Sequence, residues 1–320
     1  MTYAQQWEDF PDYIIGITKE IWEGRGVDTL NHYYASDIPV RTPMGIQIGN
    51  QEVIASTWAT LNEFPDRELL AEDVIWSNHP DHGHLSSHRI ISTATHTNDG
   101  QFGPATGRKF VARVIADCAA DGPTIYDEWL VRDYGGIVRQ LGMEPRDFAS
   151  HLISKEGGKS SAAPVFSPEI DVPHRYKGRG NDNHWGSRYA DLLRQIMDRS
   201  ETVFEDSYDR AAVGEYAGAM TRIGRIEMAK FWTGLRAAFP DAEFKIHHQI
   251  GMDADMLSPR ASVRWSLDGA HSGPGMFGDP TGANVHVMGM SHAEFGPWGL
   301  RREFALFDEI AVWKQILMAS

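Results

Sequence analysis

The sequence predicts an α+β protein made of two tandem units, each a curved antiparallel sheet with helices packed against one face. Three observations carry this. Shifted by 175 residues against itself, the chain aligns without a gap from Tyr33 to Leu141, with 20 identities over 109 positions. A single unbroken offset of that length is the duplication of a whole domain, since solenoid repeats recur every 20–50 residues or so. Within each copy helical spacing comes first and strand-like runs follow, the order of an α+β domain. The chain's 320 residues, 42% hydrophobic and 23% charged, are enough for two cores of ordinary size.

The expected units are residues 1–148 and 183–320, joined by a linker over 149–182. The first copy opens with a helix from Tyr13 to Trp22. The second opens with one from Arg188 to Phe204, whose Leu192, Leu193, Ile196 and Met197 fall on one face. A short segment closed by Gly49 or Gly224 leads to a second helix, Gln51–Glu63 or Ile226–Ala238. Phe64-Pro65-Asp66 and Phe239-Pro240-Asp241 end these helices, because a residue before proline is steered out of the α region. Strands are expected over Leu69–Trp76, Leu85–Thr95, Lys109–Cys118 and Thr124–Val131, and over Phe244–Ile250, Ala261–Leu267, Asn284–Ser291 and Arg301–Phe307. Short helices, Tyr134–Leu141 and Glu309–Leu317, close the copies. Between them, Glu156-Gly157-Gly158-Lys159-Ser160-Ser161-Ala162-Ala163-Pro164 reads as a flexible or surface-lying connection.

The net charge of −14 argues against phosphate-backbone binding, so no nucleic-acid partner is expected. Cys118 is the sole cysteine, which leaves no internal disulfide and no thiolate metal cluster. No apolar run approaches the roughly 18 residues of a membrane span. The opening MTYAQQWEDFPDYIIG is acidic and lacks the basic start of a secretory signal. Together these features give the expectation of a cytoplasmic protein with no membrane partner.

Residues held in both copies are the first candidates for chemistry. His271 shares a strand parity with Val263, Trp265 and Leu267, and His96 shares one with His88, Ile90, Ser92 and Ala94. An interior face carrying Ser and His reads as a wet pocket. Asp133 continues the parity of Trp129 and Val131, and Asp308 that of Phe304 and Leu306. An acid on an interior register has its pKa raised by desolvation and suits general acid/base work. Each Asp also precedes a short helix, where Asp is a favoured N-cap, and the two readings are compatible. The loops holding Phe102-Gly103 and Phe277-Gly278 read as hairpin connections. His79, His82, His84 and His88 invite a metal hypothesis, yet their spacing fits no compact site and the second copy lacks them. No Gly-x-Ser-x-Gly elbow supports nucleophilic catalysis.

The series Ile48-Gly49, Trp58, Phe64-Pro65-Asp66, Thr95-His96, Phe102-Gly103-Pro104-Ala105-Thr106-Gly107-Arg108, Glu128-Trp129, Asp133 and Gln140-Leu141-Gly142 resembles the SnoaL-like polyketide cyclases. The second copy is similar through Ile223-Gly224, Phe239-Pro240-Asp241, Ala270-His271, Pro280-Thr281-Gly282, Glu303 and Asp308. It departs at Gln315-Ile316-Leu317. The resemblance implies two cone-shaped barrels of the nuclear transport factor type, each with a pocket, paired through their sheets as an intramolecular pseudo-dimer that could assemble further. It also implies metal-free and cofactor-free acid/base chemistry on a small apolar or aromatic carbonyl compound: cyclisation, isomerisation or hydration and dehydration. Asp133 and Asp308 would move the proton. His96 and His271 would orient the substrate, with Trp129, Phe102, Phe277, Trp265 and His88 as pocket walls. Two alternatives stay open: a non-catalytic small-molecule binder or scaffold, and metal-dependent hydrolysis at the His-rich turn.

Overall fold

A computed structural model describes residues 6–173, 175–200 and 202–319. The first unit runs α1 (Phe10–Trp22), α2 (Leu30–Tyr33), β1 (Pro39–Thr42), β2 (Gly45–Ile48), α3 (Asn50–Glu63), β3 (Glu68–His79), β4 (Gly83–Thr95), β5 (Lys109–Asp121), β6 (Thr124–Arg132), α4 (Tyr134–Gln140) and α5 (Pro145–Lys155). The second runs α6 (His184–Met197), α7 (Val203–Ser207), β7 (Tyr208–Tyr216), β8 (Met220–Ile223), α8 (Arg225–Ala238), β9 (Glu243–Met252), β10 (Arg260–Ala270), β11 (Asn284–Gly296), β12 (Gly299–Phe307) and α9 (Glu309–Ala319). Their six-stranded sheets have the same order, β2-β1-β6-β5-β4-β3 and β8-β7-β12-β11-β10-β9. The sheets are mixed, not purely antiparallel. The hairpin that precedes α3 or α8 closes onto the last strand of its unit, and that one pairing, β1 with β6 or β7 with β12, runs parallel.

Gly49 and Gly224 stand at the N-caps of α3 and α8 with φ of +89° and +83°, a conformation that is costly for any residue with a Cβ. That accounts for a glycine held in both copies without any chemistry. The helix expected over Arg188–Phe204 is divided instead. α6 ends at Met197, and Arg199 turns back at φ 61° while its N–H meets the carbonyl of Ile196.

Helices cover one face of each sheet. In the first unit Tyr13, Ile14 and Ile17 of α1 pack on Ile90, Val114 and Cys118. In the second, Leu192, Leu193 and Ile196 of α6 pack with Val263, Trp265 and Leu267. The opposite faces of the two sheets meet each other. Ile75, Leu85, Ile115 and Val131 pack there with Ile250, Met288, Met290 and Leu306. Two arginines at equivalent positions bridge this contact reciprocally: Arg89 lies 3.6 Å over the Phe304 ring and Arg264 lies 3.6 Å over the Trp129 ring. The halves thus pack sheet against sheet.

The connection between the units is laid over this contact. Arg41, buried on β1, pairs with Asp127 at 2.9 Å and Asp171 at 2.6 Å and donates to the Val172 carbonyl. Asp127 also accepts from the backbone N–H groups of Arg175 and Tyr176. Further along, Asn181 donates to and Gln249 accepts at the edge of β9, with Gly180 so close that a Cβ would meet the Gln249 carbonyl. Phe166 and Tyr176 of this segment are buried in the inter-sheet core.

Leu306 is 1% exposed at the centre of the contact. Leu306→Ala is expected to cost about 2–5 kcal/mol in a chemical denaturation experiment, the range for a buried leucine that leaves a cavity. If the units merely touched, the loss would stay near that of a surface site, below about 0.5 kcal/mol.

Candidate functional site

Cross-strand partners share a face, so the register carries the cone interior from strand to strand. His88 and Ile90 on β4 sit opposite Ala116 and Val114 on β5. Ala116 and Cys118 in turn sit opposite Leu130 and Glu128 on β6. The cone-facing set of β6 is therefore Glu128, Leu130 and Arg132. Trp129 and Val131 face the other sheet. The expected interior register of β6, and by symmetry of β12, is thereby reversed.

The cone of the first unit holds a cavity of about 90 Å³, walled by α1, α3 and the concave sheet face. Its polar lining includes Tyr34, Arg67, His88, Glu128 and Arg132 among apolar residues such as Ile17, Leu69 and Leu130. It shares Trp22, Gln47, Ser56, Thr57 and Arg132 with a wider groove of about 480 Å³, so the two adjoin at Arg132. Glu128 is 5% exposed, and burial pushes its carboxyl up to about 6, while the Tyr34 hydroxyl and the Arg132 charge oppose the rise. Burial and the neighbouring Arg89 push His88 down to about 3, which makes it a neutral imidazole, and its Nε2 is buried with no hydrogen-bond partner among the described residues. Arg67 is buried, donates from Nε to Ser92 at 2.9 Å, and is pushed down to about 10 by burial first and Arg132 next. Neither Arg67 nor Arg132 has a carboxylate within 4.0 Å among the described residues. Burial also raises the Cys118 thiol well above its ordinary value, so this cavity wall offers no ready thiolate.

The second cone has the same acid in a different setting. Glu303, at the position equivalent to Glu128, is fully buried and accepts from four groups. These are the hydroxyls of Tyr189 at 3.0 Å, Tyr208 at 2.9 Å and Tyr216 at 2.6 Å, and the Trp232 indole N–H at 2.9 Å. Trp232 and Trp265 fill the space beside it, both 0% exposed. Burial raises the Glu303 carboxyl, and the four donors oppose the rise.

The residues singled out in the sequence lie in several places. Asp133 caps α4 through the Gly136 N–H at 2.9 Å and reaches across to the second unit, accepting from Gly218 at 2.7 Å and Ala219 at 2.8 Å. Asp308 caps α9 through the Ile310 N–H at 2.8 Å. Both lie at the inter-unit contact, where burial raises their carboxyls, Asp308 to about 7 with Asp133 and Glu309 adding to the rise. His96 and His271 are 0% exposed at the ends of β4 and β10 and hydrogen-bond Thr106 at 3.1 Å and Thr281 at 3.2 Å. They close the loops that contain Phe102 and Phe277. Phe102 packs among Phe64, Tyr134 and Phe148, and Phe277 among Phe239, Phe307 and Trp313. Trp265 is in the second core, where its indole donates to Ser291. Of the whole set, His88 alone lines the first cone, and Trp129 and Trp265 line a separate cavity between the units.

His79 and His82 stack on each other while His84 stacks on Phe10. Among the described residues no group of three or more His, Cys, Asp or Glu is arranged to hold a metal ion. No helix among them is long and apolar enough to cross a membrane.

Residues 188–316 match the SnoaL-like polyketide cyclase family. The second unit is thus a SnoaL-like domain, and the same sheet order in the first makes the chain a tandem of SnoaL-like folds. Two solved structures are similar over part of the chain. IdmH from Streptomyces antibioticus is 21% identical, covering 42% of this chain and 98% of its own, with a TM-score of 0.36. A SnoaL-like polyketide cyclase from Agrobacterium tumefaciens is 18% identical, covering 41% and 97%, with a TM-score of 0.34. No curated protein matches in sequence.

The raised carboxyl of Asp308 has a consequence for stability. A carboxyl whose folded pKa lies above its unfolded value contributes stability that is complete below about pH 4 and lost as pH rises through about 7. Asp308→Asn is expected to raise the melting temperature above pH 7 relative to the parent chain, with the difference closing as pH falls toward 5. A difference independent of pH would show that Asp308 does not titrate in this range.

Proposed function

We propose that the protein is a cofactor-independent acid/base enzyme whose working site is the cone of the first unit. Glu128 would transfer the proton, on a small apolar or aromatic carbonyl compound. The observation that carries this is a buried carboxyl held at about 6, facing a cavity that adjoins a wider groove at Arg132. A carboxyl tuned toward neutrality is ionised enough to take a carbon-bound proton and basic enough to hold it. The enolate oxygen formed would need positive charge or donors in a dry site. Arg67 and Arg132 supply the charge without carboxylate partners of their own, and the free Nε2 of His88 supplies a further polar contact. Ring closure, isomerisation and dehydration all begin with such a proton transfer, so the reading covers the chemistries the family suggests.

Glu303 is assigned the opposite role. Its four donors occupy the carboxylate and Trp232 and Trp265 fill its surroundings, so it serves the packing of the second core. Asp133 and Asp308, which the sequence puts forward as the proton-transfer pair, are assigned to capping and to the contact between units.

Exchange of α-protons of small cyclic and aromatic ketones in D₂O, followed by NMR, tests the assignment directly. The parent chain should catalyse exchange. Glu128→Gln should slow it about 10²–10⁴-fold, the usual contribution of a general base, and Glu303→Gln should chiefly lower the melting temperature. Exchange undiminished in Glu128→Gln refutes the site. Ketones that bind and never exchange would favour the non-catalytic binder.

A further inference from the structure

The two inter-sheet arginines are equivalent in the repeat, yet their surroundings have diverged. Arg89 is surrounded by carboxylates: Glu72 at 3.3 Å, Asp73 at 3.9 Å and Glu294 at 3.3 Å. At the 175-residue offset the positions equivalent to Glu72 and Asp73 are His247 and His248, and the one equivalent to Glu294 is Ala119. Arg264 therefore lacks the three carboxylates that face Arg89 and has one ion pair, with Asp117 at 3.4 Å. It is 7% exposed and stacked on Trp129, and its Nη1, the atom that faces Asp117, is too far from that carboxylate for a normal hydrogen bond, so the guanidinium makes none among the described residues. Burying a cation this way is costly unless something meets its donors.

What lies beside it is a cavity. About 340 Å³ opens between the units under the connecting segment, lined by Arg264, Trp129, Phe166, Tyr176, His247 and His286, among others. Asp171 on its wall is paired with Arg41 at 2.6 Å, a guanidinium it shares with Asp127. Lys177 and Arg179, also on the wall, bring further positive charge. His247, exposed at the mouth of the cavity, contacts Ser266 at 2.9 Å.

We propose that this inter-unit cavity is a second ligand site, distinct from the cone, that binds a small aromatic carboxylate. The carboxylate would meet the guanidinium of Arg264 and the ring would lie against Phe166 and Tyr176. A planar two-oxygen anion matches the fork of an arginine, and the aromatic walls favour a ring over an inorganic ion. The site lies where the second copy lacks the carboxylates that hold Arg89.

Isothermal titration of the full chain with 2-naphthoate, and with its uncharged amide, tests this. The acid should bind saturably at one site and the amide at least tenfold more weakly. His247→Glu, which restores at an accessible position the carboxylate that Arg89 has in Glu72, should weaken naphthoate at least tenfold and leave the fold intact. Arg264→Gln should do the same where it folds. Glu128→Gln, in the cone, should not alter naphthoate affinity. No saturable binding, equal affinity for the amide, or naphthoate lost in Glu128→Gln but retained in His247→Glu would each overturn the proposal.

Discussion

The reciprocal stacking of Arg89 on Phe304 and of Arg264 on Trp129 is the contact on which the rest of the molecule depends. It lies where two sheets turn their second faces toward each other, so neither sheet has a wet side. A sheet with one face in solvent alternates apolar and polar residues. Here β6 is buried without a break from Ile125 to Val131, and β12 from Glu303 to Phe307. The polar groups that enter this layer are matched across it: the charges of Arg89 with Glu294 and Arg260 with Asp73, and the Ser87 hydroxyl with the His292 ring at 2.8 Å. The connecting segment is held by the same logic, through the buried pair of Arg41 and Asp127.

With one face of each sheet packed on its partner, the space inside each unit lies on the helix side, within the cone, apart from the cavity left between the units under the connecting segment. The two cones have used that space differently. In the first, the acid at the cone wall keeps Tyr34 beside it and a groove adjoining at Arg132. In the second, the three tyrosines and Trp232 that surround Glu303 convert the same position into a buried polar hub. A carboxylate with four donors is fixed and satisfied. Symmetry of fold has been kept while symmetry of environment has not.

Much of this was legible in the sequence. The gapless offset gave the duplication, the Phe-Pro-Asp triplets gave the ends of α3 and α8, and the alternation of His88, Ile90 and Ser92 gave the cone face of β4 correctly. The site was legible only in part, for a physical reason. Because both faces of β6 are buried, its alternation does not say which parity looks into the cone, and Asp133 shares its parity with Trp129 and Val131, which face the other sheet. The missing signal was cross-strand register: the face of β4, carried through β5, selects Glu128 and Arg132. His96 and His271, present in both copies, each hydrogen-bond a threonine ten positions on, across the loop that they close. Glu128 and Glu303, equally retained, differ in surroundings that come from Tyr189, Trp232 and other residues distant in the chain.

Covalent fusion of the halves has an evolutionary consequence. In a two-fold dimer of separate chains every substitution appears twice, and a surface must remain complementary to itself. Here each interfacial position faces a residue encoded elsewhere. Asp133 can bind the Gly218–Ala219 turn with no reciprocal bond demanded of Asp308, and Arg113 on β5 can pair with Glu72 while Met288, its counterpart, stays apolar. Duplication has thus turned one self-matching surface into two independently mutable ones, which lets a single chain acquire features that no pair of identical subunits could hold singly.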